Sequence, residues 1–275
     1  MGIVNSVLNT VFDLLFAPFR GMNPWLAMLV VSLLAGLLMI FIYKLTSNQE
    51  GILRTKNLIK AHLLELRLYK DSLGTSVRAY GGILWCNLKY VGHALRPLAV
   101  MIIPILLILV QLNSWFGYRP IEPGESFLLK AKLADGRDPM QVNLEVVPSP
   151  AYEVETPALR QLEELEITWR LKARDAGRHE IGLKVDERSL TKSLAVGGKA
   201  LNRLSPIKPG GGFIDRVFNP SEAACPKDLG LRSVEVVYPE ARLELLGIRF
   251  HWLVAFFLLS IIFGFALKGV FRVEI

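Results

Sequence analysis

Residues 25–43 read WLAMLVVSLLAGLLMIFIY, a stretch without a single charged side chain. Two further apolar stretches of similar length occupy residues 98–116 and 250–267. At about 1.5 Å per residue, a helix over each stretch reaches roughly 28 Å, close to the ~30 Å hydrocarbon thickness of a bilayer. A buried core helix is the alternative, but a soluble helix of this length ordinarily keeps a polar stripe. The sequence therefore predicts three transmembrane helices.

The charged residues indicate which segments between the spans face the cytoplasm. Residues 44–97 hold nine basic and three acidic side chains, whereas residues 118–249 hold 20 of each. Short cytoplasmic loops are enriched in Lys and Arg. We therefore expect residues 44–97 and the C-terminus inside the cell, and the N-terminus and residues 118–249 outside. The loop 44–97 accounts for nearly all of the net charge of +7, so no specific nucleic-acid partner is expected.

Residues 1–22 precede the first span and show helical periodicity. Val7, Val11 and Leu14 share one face, with Asn5 and Asn9 on the other. This pattern predicts an amphipathic helix lying in the outer membrane interface.

Residues 23–117 are expected to contain the first two spans and, between them, a cytoplasmic helical hairpin at residues 44–97. Its first arm has few helix breakers and is predicted to continue the first span up to a turn near Gly74. The second arm is predicted to end at Arg96, where Pro97 suits the first turn of the second span. Side chains of the hairpin that we expect to contact a client or partner are Arg54, Lys56, Lys60, Leu63, Arg67, Lys70 and Trp85.

Residues 118–247 have frequent Pro and Gly and an alternation of apolar and polar side chains. The alternation predicts strands at residues 127–133, 142–146, 189–196 and 233–238. Residues 165–171 and 179–185 also alternate across a short turn, which predicts a β-hairpin. Several short strands with turns between them favour an extracytoplasmic all-β, immunoglobulin-like sandwich. Residues 248–275 then form the third span and a short cytoplasmic tail.

The sequence contains no arrangement of residues typical of an enzyme. Its four histidines are dispersed, and its two cysteines fall on opposite sides of the predicted membrane. The run Gly210 to Gly212 is not followed by Lys and Ser or Thr, as a phosphate-binding loop requires. We therefore expect no enzymatic activity, no cofactor and no metal.

Polar or helix-bending residues within the spans are candidates for a functional groove, because polar atoms at membrane depth are costly. Ser32 and Gly36 have a small-xxx-small spacing that allows a close approach of helices. Pro104 removes a backbone hydrogen bond in the middle of the second span and is expected to kink it. Gln111, near the outer end of that span, is expected to bond to another helix, to be solvated at the interface, or to face a substrate.

Residues 23–114 resemble the YidC-type membrane protein insertase superfamily, above all its minimal three-span members. The resemblance rests on the first span leaving through residues 44–50 (KLTSNQE), on the basic hairpin, and on the second span with Pro97 and Pro104. It implies a groove open to the cytoplasm, into which the hairpin guides hydrophobic client segments without nucleotide or cofactor. In this chain an extracytoplasmic β domain is added between the second and third spans. We expect the chain in the cytoplasmic (inner) membrane of a bacterium.

Two functions remain as alternatives. The first is an insertase-like protein or membrane chaperone that assists insertion, folding or assembly of membrane proteins, with the lipid bilayer and hydrophobic client segments or subunits as partners. The second is a non-catalytic membrane scaffold, in which the β domain binds a partner in the envelope and the hairpin docks a cytoplasmic subunit.

Overall fold

The computed structural model describes residues 3–198, 201–245 and 247–271. The chain forms two compact units. Met1–Met28 and Leu107–Val254 make up the first unit, which holds the N-terminal helix and the β region. Leu29–Leu106 and Ala255–Ile275 make up the second, which holds most of the long apolar helices.

Three helices in the described part of the chain are long and apolar enough to cross a membrane. The described α-helices are α1 (Ile3–Phe16), α2 (Pro24–Thr46), α3 (Gln49–Leu68), α4 (Leu73–Phe116), α5 (Phe213–Phe218) and α6 (Trp252–Phe271). The three that could cross a membrane are α2, α4 and α6. At the start of α2, the N–H of Trp25 donates to the side-chain oxygen of Asn23 at 3.0 Å, and a first-turn proline gives up no helical bond. The prediction of three spans is confirmed in length and composition.

The segment between the first two spans differs from the prediction in two places. α2 and α3 are separate helices, because the side chain of Asn48 accepts a hydrogen bond from the N–H of Gly51 and caps a new helix. α4 runs unbroken through Pro97 and Pro104, so the second arm and the second span are one helix. Each proline removes one backbone hydrogen bond, and the bonds on either side keep the helix continuous. The expected continuous first arm and the expected helix start at Pro97 are therefore wrong.

The β region is built from antiparallel strands. The strands are β1 (Ser126–Leu133), β2 (Leu144–Val146), β3 (Tyr152–Val154), β4 (Leu159–Gln161), β5 (Glu166–Ala173), β6 (Gly177–Val185), β7 (Arg188–Val196), β8 (Ile207–Pro209), β9 (Leu231–Val236), β10 (Leu243–Leu245) and β11 (Ile248–Phe250). One sheet has the order β3-β5-β1-β9-β8, with β4 also paired to β5. A second sheet has the order β2-β6-β7, and β10 pairs with β11. β1, β7 and β9 lie where the sequence predicts strands.

Strands β5 and β6 follow each other in the chain but belong to different sheets. Trp169 of β5 pairs with Leu129 of β1, while β6 pairs with β2 and β7. The predicted hairpin of residues 165–171 with residues 179–185 is therefore wrong. The hairpin is β6–β7, which turns at Asp186 with a φ of 53°, a conformation that Asp tolerates. Alternation identifies a half-buried strand but says nothing of its partner.

Buried apolar side chains from the two larger sheets form one core. Phe127, Leu129 and Ile167 come from the first sheet, and Leu183 and Leu194 come from the second. Two sheets that bury a common set of side chains form a layered β domain. The immunoglobulin-like topology of this domain stays a prediction.

α1 contacts the β region of the first unit through its polar face. Nδ2 of Asn5 donates to the carbonyl of Arg216 at 2.7 Å, and Nδ2 of Asn9 donates to the carbonyl of Pro220 at 2.9 Å. The exposed apolar side chains of this helix are Val7, Val11 and Leu14. That exposed face is the kind a helix presents to a bilayer surface, and the interfacial location stays a prediction.

Candidate functional site

α3 and the first half of α4 lie side by side in the second unit. A Cβ added to Gly82 would lie 2.6 Å from Nε2 of His62, so the His62 ring of α3 lies against the backbone of α4 there. Nζ of Lys56 lies 6.0 Å from the ring centre of Tyr90, a cation–π geometry. Lys56, the earlier residue of α3, contacts Tyr90, the later residue of α4, whereas His62 contacts Gly82, the earlier one. The two helices are therefore antiparallel.

The basic side chains of this helix pair face outward. Lys56 is half-buried, and four of the predicted contact residues on α3 and the following turn are exposed: Arg54, Lys60, Arg67 and Lys70. On α4 the exposed basic residues include Arg78, Lys89 and Arg96. Exposed guanidinium and ammonium groups of this kind suit acidic side chains or lipid phosphates.

An exposed apolar stripe runs along the same part of α4. Its members, which we call the α4 stripe, follow one another at intervals of three or four residues: Leu73, Val77, Tyr80, Leu84, Leu88, Val91 and Leu95. Leu84 is 71% exposed, and the predicted contact residues Leu63 and Trp85 are 52% and 59% exposed. At about 1.5 Å per residue the stripe is roughly 33 Å long. A continuous apolar surface of this length is typical of a contact with protein or membrane.

Two of the candidate groove residues, Ser32 and Gly36, are buried one helical turn apart on α2. A Cβ added to Gly36 would lie 3.2 Å from the carbonyl oxygen of Ser260 and 3.4 Å from Cβ of Phe263, so α2 and α6 approach closely at this glycine. The hydroxyls of Ser32 and Ser260 are buried and have no hydrogen-bond partner within the described ranges. The small residues thus lie where two membrane helices pack.

The other two candidates, Pro104 and Gln111, lie in different units. Pro104 is half-buried in α4 and belongs to the second unit. Gln111 is buried in the first unit, where its Nε2 donates to Oδ1 of Asn9 at 2.9 Å. The structure therefore brings Ser32 and Gly36 together and pairs Gln111 with the N-terminal helix.

The β region contains a buried ion pair that the sequence did not indicate. Nζ of Lys192 is 2.6 Å from Oε2 of Glu222 and also donates to the carbonyl of Ser205. Burial lowers the pKa of Lys192, and Glu222 offsets part of that shift. Burial alone would raise the pKa of Glu222, but Lys192, the N–H of Ser193 and Lys208 bring it below its ordinary value. The sequence signal for this burial is the position of Lys192 on β7, between Leu190 and Leu194 on the same, buried face of the strand.

Within the part of the chain that the structure describes, no group of three or more His, Cys, Asp or Glu side chains is placed to hold a metal ion. No protein-family model matches the sequence, and neither a curated protein nor a solved structure matches it. Function must therefore be inferred from the residues of the chain itself.

Proposed function

We propose that the protein is an insertase-like membrane protein or membrane chaperone that assists insertion, folding or assembly of other membrane proteins. The α4 stripe is the observation that supports this function best. A helix pair that serves only as a spacer hides its apolar residues between its arms. Here seven apolar side chains stay exposed beside basic residues. That surface suits a hydrophobic client segment before it enters the bilayer.

The length of α4 supports a role for the stripe outside the bilayer. Its 44 residues reach about 66 Å, roughly twice the ~30 Å of the hydrocarbon core. The apolar window at residues 98–116 provides one crossing, which leaves residues 73–97 for the aqueous phase. The excess of basic residues in 44–97 supports a cytoplasmic location for this part and an external location for the β domain. The membrane that we propose is the inner membrane of a bacterium.

Within the bilayer, we propose a client groove along the second unit. The close contact of Gly36 with α6 holds its fixed wall, and Ser32 is buried one turn away on α2. Pro104 of α4 leaves the carbonyl of Val100 without its helical donor. A polar carbonyl at that depth offers a hydrogen-bond acceptor to a client segment that crosses the membrane.

Site-specific photocrosslinking tests the proposed function. A crosslinker at Leu84 is expected to capture several different nascent membrane proteins, and one at Val100, which is exposed beside the freed carbonyl, a subset of them at a later stage. Lys89 is the control position, because it is exposed and lies about 140° around the helix from Leu84. Adducts with a single fixed protein, with lipid alone, or with equal yield at Lys89 would contradict a client-binding stripe.

A second function, a non-catalytic membrane scaffold, is favoured by α5 in the first unit. Phe213 is 81% exposed there, and Ile214 and Phe218 are exposed on the same short helix. Exposed aromatic side chains are frequent anchors of protein interfaces.

Purification in mild detergent tests this second function. The scaffold predicts a stoichiometric complex that Phe213→Ser disrupts and that Leu159→Ser, a change at another exposed apolar residue of the β region, leaves intact. Full function after deletion of residues 120–246 would contradict the scaffold.

A further inference from the structure

A cavity of about 280 Å³ lies in the first unit beside the end of α1. Its wall includes three arginines, Arg20, Arg178 and Arg203, and two carboxylates, Asp13 and Glu222. The volume is near the lower end of the ~300–1,000 Å³ range of small-molecule sites. The proposed insertase function makes no use of this cavity.

The two carboxylates do not neutralise the wall of the cavity. Glu222 is engaged in the buried ion pair described above. One oxygen of Asp13 is 3.0 Å from Nη1 of Arg203, and the other is 4.0 Å from Nη2 of Arg20. A single carboxylate is thus shared between two guanidinium groups, and Arg178 adds a third positive charge.

One hydrogen-bond donor on the wall has capacity left for a ligand, and one guanidinium nitrogen behind the wall has no partner in the part of the chain that is described. Nη2 of Arg203 is buried and has no partner among the described residues. The hydroxyl of Tyr238 accepts the N–H of Ala195 at 2.9 Å, which leaves its own hydrogen to donate. Burial lowers the pKa of Arg203, Asp13 offsets part of the shift, and Arg178 lowers it further. A buried guanidinium beside a second one favours additional negative charge.

We propose that this cavity binds a phosphate group, held mainly by Arg178 and Arg203 with the Tyr238 hydroxyl as a further donor. Guanidinium groups match phosphate oxygens through planar, paired hydrogen bonds. A phosphate group offers more oxygens and more charge than a carboxylate, so it matches three arginines better. The group is either the headgroup of a phospholipid or part of a small soluble compound.

The neighbourhood of the cavity makes a phospholipid headgroup one natural source. Asp13 lies within α1 and Arg20 follows it closely, and both are on the cavity wall. The exposed apolar residues of that helix are Val7, Val11 and Leu14. A helix whose apolar face enters the bilayer surface lies at the depth of the lipid headgroups.

Binding to the full-length protein in detergent tests the proposal. In one arm, thermal unfolding is followed during titration with inorganic phosphate and with glycerol 3-phosphate. In the other, native mass spectrometry counts the phospholipids that stay bound after purification. Arg178→Gln is expected to weaken phosphate binding about tenfold or more, or to abolish lipid retention, because it removes one charged donor pair.

The control is Arg232→Gln, which changes an exposed arginine of β9 outside the cavity and is expected to bind like the parent protein. If Arg178→Gln does not fold, Arg20→Gln is the second cavity variant. The Arg20 side chain is 43% exposed, so its replacement is expected to leave the fold intact. Saturable binding of a soluble phosphate compound identifies a small-compound site. Lipid retention that depends on the arginines, with no binding of a soluble phosphate compound, identifies a headgroup site. The proposal is overturned if both arms are insensitive to the cavity arginines or if neither ligand binds.

Discussion

The side-chain amide of Gln111 in α4 donates a hydrogen bond to Oδ1 of Asn9 in α1, with 2.9 Å between the two atoms. Both residues are buried, and Asn9 uses its own amide nitrogen on the carbonyl of Pro220. Asn9 therefore joins the N-terminal helix, the end of α4 and the β region within one unit.

Loss of this bond is expected to destabilise the first unit. Gln111→Leu should lower the free energy of unfolding by about 1–3 kcal/mol, because Oδ1 of Asn9 stays buried without its donor. Unfolding in detergent, followed by intrinsic fluorescence, measures the change. Asn113→Ala, at an exposed position of the same helix, should stay within about 0.5 kcal/mol of the parent. Equal effects of the two changes would refute the structural role of the bond.

The buried ion pair of the β region should be sensitive to removal of one partner. Glu222→Gln leaves the ammonium of Lys192 buried without a carboxylate and is expected to lower the free energy of unfolding by about 3–5 kcal/mol. The double change Lys192→Met with Glu222→Gln removes both charges, keeps an acceptor for the N–H of Ser193 and should be much less harmful. Glu240→Gln, at an exposed carboxylate, is the control for chemical denaturation. A double variant that is as unstable as Glu222→Gln would count against a pairwise effect.

The same carboxylate predicts a loss of stability in acid. The pKa of Glu222 in the folded protein lies below the ordinary value of 4.5, so the unfolded chain takes up its proton first as pH falls. Its contribution is complete above pH 4.5 and is lost as the pH falls from there through the lower folded pKa. Melting temperatures from neutral to acidic pH should therefore fall less steeply for Glu222→Gln than for the parent. Parallel curves would show that another group dominates.

The contact of α2 with α6 should reject a larger residue at position 36. Gly36→Leu is expected to lower the free energy of unfolding by about 1–3 kcal/mol, because its Cβ alone would lie 3.2 Å from a backbone oxygen of α6. Gly269→Leu on α6 is the control, since that position is exposed and a Cβ there meets open space. Thermal unfolding in detergent compares the two variants. Equal effects of the two changes would show that the close approach of α6 does not limit the side chain at position 36.

The positions of helices and strands were predictable where a single property, either the length of an apolar stretch or the alternation of apolar residues, determines the element. The apolar windows gave three spans because bilayer thickness fixes their length, and alternation gave β1, β7 and β9 because one side of each strand is buried. The partner of a strand does not follow from alternation, and therefore the pairing of β5 with β1 was missed.

The exposure of the candidate contact residues was predictable, their role as contacts stays a prediction, and the burial of polar residues elsewhere was much less predictable. Arg54, Leu63 and Trp85 were identified from charge and helical spacing, and the structure leaves all three exposed. Asn and Lys side chains are ordinarily exposed to solvent. Asn9 and Lys192 are buried by contacts with residues that are distant in the sequence. Such contacts leave no local pattern in the sequence.

The break at Asn48 and the continuity of α4 make the two arms mechanically unequal. The arm α3 is connected to its span through a two-residue joint, which absorbs changes of angle between the helices. The other arm belongs to the same helix as the second span, and Pro97 and Pro104 interrupt the backbone hydrogen bonds between the two. Bending between the α4 stripe and the second span is therefore expected at these two prolines, and on the other side at the joint before α3.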